Sequence, residues 1–314
     1  MTIKPKVYID GKEGTTGLQI YERLGSRDDI ELLLIDEDKR KDTEERRKFL
    51  NAADIVFLCL PDAAAVEAVS LIDNPNTKVI DASTAHRTAE GWTYGFAELL
   101  PGQREAIAQA TRVANPGCHA TGFLSCVAPL VKMGILPSSY PLTCYSLTGY
   151  SGGGKKLIAE YEDPQRSDLL SAPAPYALGL THKHLPEMKV IAGLDQPPVF
   201  LPVLGDIYKG MLTSIMLHNN LLNGAPTAQQ ICDMLTEYYR DQKLVQVAPF
   251  GSAGARLYAN QQAGKDILTI TVTGHETQTL ITAQFDNLGK GASGAAVQNM
   301  NIMLGFDEAT GLNI

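Results

Sequence analysis

Short apolar runs alternate with amphipathic stretches through the first third of the chain. The runs are rich in Val, Ile and Leu, which is typical of parallel strands covered on both faces. Stretches of helical period separate them, such as Leu18–Leu24 and an alanine-rich helix that Asp62 can cap. This order predicts a doubly wound α/β sheet. We predict its strands at Lys6–Ile9, Ile30–Ile35, Asp54–Leu60, Lys78–Asp81 and Arg112–Ala114.

The pattern changes at Cys118, where an apolar helix begins. Beyond it, longer runs alternate apolar and polar residues, and threonines separate Leu268, Ile270 and Val272. Such alternation predicts a sheet with one buried and one solvated face. A helix is expected over Thr227–Tyr239, capped by its first residue. Further strands are predicted at Leu142–Leu147, Val199–Val203, Gly210–Leu217 and Gln278–Phe285.

Two domains are expected from this change of pattern, and 314 residues are enough for two cores. Residues 1–117 are predicted to form a Rossmann-type dinucleotide-binding domain, and residues 118–292 a mixed α+β domain that contains Cys118. The closing helix, about Gly294–Leu304, can pack on either domain. Residues 152–178 are rich in Gly, Ser, Pro and charge, so we expect a mobile surface segment there.

The composition argues against several classes of protein. A net charge of −8 does not suit a nucleic-acid-binding surface, which needs a basic face. No apolar run approaches the roughly 20 residues of a membrane span, and no signal peptide is expected before the first strand. The five cysteines are odd in number and scattered, which favours a reducing cytoplasm over a disulfide framework.

A glycine-rich turn between the first strand and the first helix is the candidate cofactor site. Gly11, Gly14 and Gly17 let the backbone approach a pyrophosphate, and the helix start supplies N–H groups and a positive field. The spacing departs from the commoner G-x-G-x-x-G, and a plain tight turn is the alternative. After the second strand, a run of three cations that begins with Lys39 and Arg40 favours NADP, although preceding acidic residues suit a ribose diol. A solvated charged turn is the alternative there.

Cys118 is the candidate nucleophile. It follows Asn-Pro-Gly in the first turn of the apolar helix, where the dipole and the N–H groups favour a thiolate and can stabilise an oxyanion. The other four cysteines lie in apolar runs and are interpreted as core residues.

His182 and His184 are the candidate acid–base residues. In an extended segment both imidazoles point the same way, and one of them near Cys118 can exchange the proton of a developing alkoxide. A zinc site that adds Cys118 or His119 is the alternative, but no second close pair of Cys or His supports it. We therefore predict no metal.

Together these motifs resemble N-acetyl-γ-glutamyl-phosphate reductase of the shorter-chain type, an enzyme family of arginine biosynthesis. The resemblance covers nearly the whole chain, and it implies that the segment 293–314 completes the dinucleotide-binding domain and that residues 118–292 form the catalytic and dimerisation domain. Its specific marks are Asn115–Cys118, which reads NPGC, and His182–Glu187, which reads HKHLPE. Supporting marks are Asp81–Ser83 with Arg87, Gly149–Lys155 and Asn287–Gly294.

The resemblance implies a reaction and residue roles. NADPH reduces N-acetyl-L-glutamyl 5-phosphate to the 5-semialdehyde through a thioester on Cys118, and His182, or else His184, is the acid–base residue. The implied partners are this acyl phosphate and further copies of the chain in a homodimer or homotetramer. The implied substrate-binding residues are Ser83, Arg87, Ser151, Gly152, His184 and Glu187, the last also as the partner of a histidine. The implied cofactor-binding residues are Gly11, Gly14, Thr15, Thr16, Gly17, Lys39, Arg40, Pro61, Asn287 and Gly289.

Two departures and several alternatives accompany the resemblance. Many members carry tyrosine at the position of His119, and Lys12-Glu13 is unusual inside the glycine turn. Aspartate-semialdehyde dehydrogenase has the same chemistry, but it usually carries asparagine where this chain has Gly117. An aminoadipyl-phosphate reductase is a further alternative. A cofactor-sensing binding protein would not need Cys118, and a thiol hydrolase would not need the glycine turn.

Overall fold

The computed structural model describes residues 4–314, and the chain divides into two compact units. Unit 1 contains the residues up to Ala97, Gly102–Pro116 and Ala292–Leu312. Unit 2 contains Glu98–Pro101, Gly117–Gly291 and the last two residues. The first three residues, which the expected absence of a signal peptide concerns, lie outside the described part.

Helices and strands are labelled in chain order. The helices are α1 (Thr15–Leu24), α2 (Thr43–Ala52), α3 (Asp62–Ser70), α4 (Gln103–Gln109), α5 (Cys118–Lys132), α6 (Gly154–Glu162), α7 (Leu185–Ala192), α8 (Ala228–Tyr238) and α9 (Gly294–Leu304). The strands are β1 (Lys6–Asp10), β2 (Glu31–Leu33), β3 (Ile55–Leu58), β4 (Lys78–Asp81), β5 (Thr93–Tyr94), β6 (Arg112–Ala114), β7 (Thr143–Gly149), β8 (Ala174–Pro175), β9 (Val199–Gly205), β10 (Met211–His218), β11 (Val245–Val247), β12 (Leu268–Gly274) and β13 (Gln278–Phe285).

Unit 1 is built on a parallel sheet with the strand order β2-β1-β3-β4-β6-β5. Successive residues of β1 and β3 point to opposite faces. Ile9 and Phe57 pack with residues of α1 and α9, whereas Tyr8 and Val56 pack with residues of α2 and α3. Helices therefore cover both faces of the sheet, which confirms the predicted doubly wound α/β fold.

Two local predictions in unit 1 are wrong. The second strand covers only Glu31–Leu33 and lies at the edge of the sheet, and Leu34 after it is 55% exposed. The apolar run there lines a cavity, and its residues are only partly buried against the two cores of the sheet. Asp62 does not cap α3, because the N-cap is Pro61. The carboxylate of Asp62 instead accepts hydrogen bonds from the amide and the hydroxyl of Thr84.

Unit 2 contains a mixed sheet with the strand order β11-β12-β13-β10-β7-β9-β8. The pairs β7–β9 and β11–β12 are parallel and the others antiparallel. Helix α5 packs on β10 and β13, and its residues from His119 to Leu130 are all buried. Thr227 caps α8 through a reciprocal capping box with Gln230, which confirms the predicted helix start. The mixed sheet and its helices agree with the predicted α+β architecture.

The polar side of β12 is less solvated than predicted. Thr271 is buried, and the amide of Gln262 donates to the hydroxyl of Thr269. On the neighbouring strand β13, the amide of Gln284 donates to the carbonyl of Tyr258. The irregular segment before β12 therefore covers this end of the sheet, and the prediction of a solvated face is wrong there.

Residues 152–178 have more regular structure than predicted. They contain α6, a 3₁₀ turn at Asp168–Ser171 and β8. Arg166 forms a bidentate ion pair with Asp206, with N–O distances of 2.8 and 2.6 Å. The mobility of the segment stays a prediction. Within residues 4–314, no helix is both long and apolar enough to cross a bilayer.

Candidate active site

Cys118 is the first residue of α5. The N-cap is Gly117, whose extended backbone (φ −79°, ψ 145°) delivers the thiol to the first turn. The residue is half-buried. First-turn amides have no partner within their helix and carry a positive field, a setting that favours anions. The predicted position at a helix start is confirmed.

Glu187 holds the turn that precedes the thiol. Its buried carboxylate accepts a hydrogen bond from the amide of Gly117 at 2.9 Å. This bond connects α7 to the start of α5, and the expected roles of Glu187 toward the substrate and a histidine stay predictions. A charge-assisted bond of this kind fixes the backbone at the position where Cys118 begins its helix.

A second backbone segment approaches Cys118 closely. Gly289–Ser293 forms one turn of π-helix, in which Gly291 donates its amide to the carbonyl of Asp286. A Cβ atom at Gly291 would lie 3.1 Å from the Cβ of Cys118, closer than ordinary packing allows. Glycine at this position therefore lets the backbone lie directly against the candidate nucleophile.

The two histidines are brought together by a turn. The segment is not extended as expected, because His184 is the N-cap of α7 and has a helical backbone. The backbone amide of His184 donates to Nδ1 of His182. The ring centroids are 4.7 Å apart at an interplanar angle of 84°. His182 is half-buried, and His184 is buried. Both rings contact His119, the neighbour of Cys118, at centroid distances of 5.4 and 5.8 Å.

His119 belongs to a buried polar chain that sequence reasoning missed. Its Nδ1 lies 2.8 Å from the hydroxyl of Ser146, and its Nε2 lies 2.7 Å from the hydroxyl of Tyr176. Burial first, and His182 second, lower the pKa of His119 to about 3. Burial raises the pKa of Tyr176, and a thiolate at Cys118 raises it further. The unusual His119 was the one signal in the sequence, and nothing there indicated its partners.

Within unit 2, Ser151 and Gly152, which are expected to bind substrate, lie next to Asn287, which is expected to bind the cofactor. The side-chain NH2 of Asn287 donates to the hydroxyl of Ser151 at 3.0 Å. The side-chain oxygen of Asn287 accepts from the backbone amide of Gly210. A Cβ atom at Gly152 would lie 3.4 Å from the same Asn287 amide. Gly289 has no room for a side chain against the carbonyl of Lys265. Asn287 is therefore fixed from two sides.

Ser83 and Arg87 follow β4 in unit 1. Asp81 accepts hydrogen bonds from the amide and hydroxyl of Ser83 and contacts Nδ1 of His86 at 2.6 Å. The Arg87 guanidinium donates to the carbonyl of Asn115, just before the Pro-Gly-Cys turn. Both predicted substrate residues are thus buried and held at the carboxyl end of β4.

The glycine turn of unit 1 fits a dinucleotide. Gly11 has φ +88°, where other residues are strained, and its carbonyl accepts from the amide of Gly14. Side chains at Gly11 or Gly17 would collide with backbone carbonyls. The hydroxyl of Thr15, beside Thr16 at the start of α1, is buried and has no hydrogen-bond partner among residues 4–314. A close-packed turn with an unsatisfied hydroxyl at a helix start suits a phosphate.

A cavity of about 410 Å³ lies beside this turn in unit 1. Arg40 lines it, and its guanidinium lies 3.6 Å from Glu37 and 3.9 Å from Glu13. Lys39 is not among the lining residues and instead pairs with Asp36. The other charged lining residues include Asp10, Lys41 and Arg46, of which the buried pair Asp10–Arg46 was missed from the sequence. Pro61, the exposed N-cap of α3, lies beside Leu60 of the lining.

Among residues 4–314, no group of three or more His, Cys, Asp or Glu side chains is arranged to hold a metal ion. None of the five cysteines, all within that range, forms a disulfide.

Two family models match the chain and define its class. The semialdehyde dehydrogenase NAD binding domain matches residues 6–110, and the semialdehyde dehydrogenase dimerisation domain matches residues 118–287. The protein is thus a semialdehyde dehydrogenase in the broad sense, with a domain for a nicotinamide cofactor.

Relatives of known name narrow the class. The chain is 51% identical to N-acetyl-gamma-glutamyl-phosphate reductase 2 of Nostoc sp., over 98% of this chain and 99% of that protein. It is 48% identical to N-acetyl-gamma-glutamyl-phosphate reductase of Brucella ovis, over 96% of this chain and 100% of that protein. The chain belongs to the N-acetyl-γ-glutamyl-phosphate reductase family, as its motifs predicted.

Solved structures agree on the fold. Aspartate semialdehyde dehydrogenase II of Vibrio cholerae superposes with a TM-score of 0.73 over 96% of this chain and 99% of that one. The enzyme of Francisella tularensis gives 0.72 over 96% and 100%. Sequence identities of 18% and 15% make this a likeness of fold alone.

Proposed function

We propose that the chain reduces N-acetyl-L-glutamyl 5-phosphate to N-acetyl-L-glutamate 5-semialdehyde with NADPH and releases phosphate, a step of arginine biosynthesis. The observation that carries the proposal is Cys118 at the start of α5, beside a ring cluster that contains His182. The names of the relatives support the substrate.

Cys118 acts first as the nucleophile. Its thiolate attacks the carbonyl carbon of the acyl phosphate, the C–S bond forms, and the bond to the phosphate oxygen breaks. The first-turn amides of α5 stabilise the oxyanion that develops on the carbonyl. Inorganic phosphate leaves, and a thioester remains on Cys118.

His182 then acts as the general acid or base. A reduced nicotinamide held by the residues of the glycine turn would supply the hydride that converts the thioester to a thiohemiacetal. His182 protonates the oxygen on this carbon or accepts its proton when the C–S bond breaks and the aldehyde leaves. The half-buried position of His182 supports this assignment over the buried His184, which we assign to substrate binding with Glu187.

The remaining assignments concern binding. Residues 1–117 with 293–314 hold the cofactor, and residues 118–292 carry the catalytic groups. The cofactor residues are those of the glycine turn with Thr15 and Thr16, together with Arg40 and Pro61, and Asn287 and Gly289 add contacts from residues 118–292. Lys39, which pairs with Asp36, is left out. The preference for NADP is supported by Arg40 at the cavity. The substrate residues are Ser83, Arg87, Ser151 and Gly152.

We also propose a homo-oligomer that forms in the cytoplasm through the open face of the sheet in unit 2. Val199, Leu201 and Met216 are 60, 40 and 45% exposed on the face turned away from α5. A face of this kind favours a protein partner, and the family match to a dimerisation domain supports a second copy. Leu201→Asp should shift the mass seen by light scattering toward the monomer, and an unchanged mass would contradict this interface.

The experiment that tests the reaction is phosphate-dependent reduction of NADP by N-acetylglutamate semialdehyde. Aspartate semialdehyde under identical conditions is the control substrate. Faster turnover of the aspartyl compound would replace the proposed substrate.

A further inference from the structure

His119 links the helix of the nucleophile to the rest of unit 2. Its side chain is 2% exposed, and both ring nitrogens lie within hydrogen-bond distance of a hydroxyl. The chain continues from Ser146 on β7 to Thr213 on β10, with 2.8 Å between the hydroxyl oxygens. His119 therefore sits in the middle of a polar path from the sheet to Tyr176.

The ring of His119 is neutral under ordinary conditions. Burial keeps its pKa at about 3, well below the physiological range. A neutral imidazole donates from one nitrogen and accepts at the other, which one hydroxyl on each side satisfies. The buried ring is thus suited to hold its two partners in place, because it does not take up a second proton near neutral pH.

Tyr176 belongs to a surface segment that we call the strap, residues 172–183. All strap residues except Tyr176, Ala177 and His182 are exposed. The amide of Tyr176 donates to the carbonyl of Pro202, and then a tight turn takes Ala177 and Leu180 to positive φ values of 51° and 55°. These conformations are unfavourable for residues other than glycine. The strap therefore makes a strained turn between Tyr176 and His182.

We propose that His119 is a positioning residue, which anchors the strap to the helix of Cys118 by holding the hydroxyl of Tyr176. The ring of His182, at the end of the strap, lies 5.4 Å from that of His119 and 6.0 Å from that of Tyr176. Because His119 directly follows Cys118, the anchor sets where His182 lies relative to the thiol. The part of this inference that concerns turnover rests on the proposed function.

Removal of the bond from either side provides the test. His119→Phe removes both polar contacts of the ring, and Tyr176→Phe removes only the shared one from the half-buried side, where the fold is at less risk. His119→Gln keeps a polar atom for Tyr176. Tyr258→Phe removes a hydroxyl from an exposed tyrosine of the same unit and is the matched control.

The first measurement is amide hydrogen exchange of strap peptides without substrate. One neutral hydrogen bond corresponds to roughly fivefold in an opening equilibrium, so either Phe variant should exchange about fivefold faster there. Tyr258→Phe should not change the rate, and His119→Gln should restore part of it. Unchanged exchange in both Phe variants would overturn the anchor, whether or not the chain has the proposed activity.

The second measurement is a double-mutant cycle on kcat. Either Phe variant should lower kcat about five- to tenfold with little change in the KM for the cofactor, because His182 is misplaced. The double variant should be no slower than the slower single variant, since both changes remove the same bond. If the two losses multiply, His119 does not act through Tyr176 and the proposal is overturned.

Discussion

Arg40→Ala should weaken the binding of NADPH and leave that of NADH nearly unchanged. Arg40 lines the cavity beside the glycine turn, whereas Lys39, the preceding cation, pairs with Asp36 outside the lining. The side chains of Arg40 and Lys39 are 41 and 50% exposed, respectively, so they are similarly solvated and differ mainly in their position relative to the cavity. Lys39→Ala is therefore a matched control.

The expected loss in NADPH affinity is the difference between the ion pair that Arg40 gains with the 2′-phosphate and the contacts that it gives up. A hydrogen-bonded ion pair with a 2′-phosphate contributes about 1.5–3 kcal/mol. Against this, Arg40 has contacts of 3.6 Å to Glu37 and 3.9 Å to Glu13, and exposed pairs of this kind contribute at most about 1 kcal/mol. The net loss is about 1.5 kcal/mol, or roughly tenfold in Kd for NADPH.

The assay is titration of nicotinamide fluorescence with both cofactors at one fixed ionic strength, since salt screens exposed charges. Lys39→Ala should change neither Kd by more than about twofold. Equal losses for NADPH and NADH in Arg40→Ala would show that the cation does not read the 2′-phosphate. A tenfold loss in Lys39→Ala alone would place the phosphate at the other cation.

Five further variants, four single and one double, test the site and the fold. Cys118→Ser should lower kcat by several orders of magnitude while cofactor titration stays normal, and substantial activity would contradict a thioester. His182→Asn should lower kcat by about 10²–10⁴ with little change in KM, and His184→Asn should act mainly on KM; the opposite pattern would exchange their roles. Lys290→Met should destabilise the chain toward urea by about 3–5 kcal/mol, because its ammonium lies 2.8 Å from both oxygens of the buried Glu98. The matched double variant with Glu98→Leu should recover part of that loss, and no loss in the single variant would show that the pair is unimportant.

Periodicity was enough to predict the architecture wherever burial alone decides the structure. The strand β3 is buried along its whole length, and its apolar run was found to within two residues. Prediction was wrong where an apolar run has a different reason to be apolar. Leu32–Ile35 lines a cavity at the sheet edge, and one sequence cannot distinguish the wall of a cavity from a strand covered by helices.

In the site too, local features could be predicted from the sequence, whereas contacts between distant parts of the chain could not. Cys118 and the histidine pair could be found from the sequence because a helix start and a short motif are local features. The partner of Glu187 could not, because the amide of Gly117 lies 70 residues away and any backbone amide can donate. The same holds for Tyr176, which is 57 residues from His119.

The geometry of the segment that contains His182 and His184 could not be predicted from the sequence, because it depends on where α7 begins. An extended segment would have placed both imidazoles on one side, but α7 begins at Leu185 with Pro186 in its first turn, a favoured place for proline. His184 therefore becomes the N-cap, and its buried ring lies against that of His119 in α5. His182 stays at the end of the strap, half-buried and next to His119. A single helix start thus gives different exposures to two histidines that look equivalent in the sequence, and the more accessible one, His182, is the residue that we propose as the acid–base group.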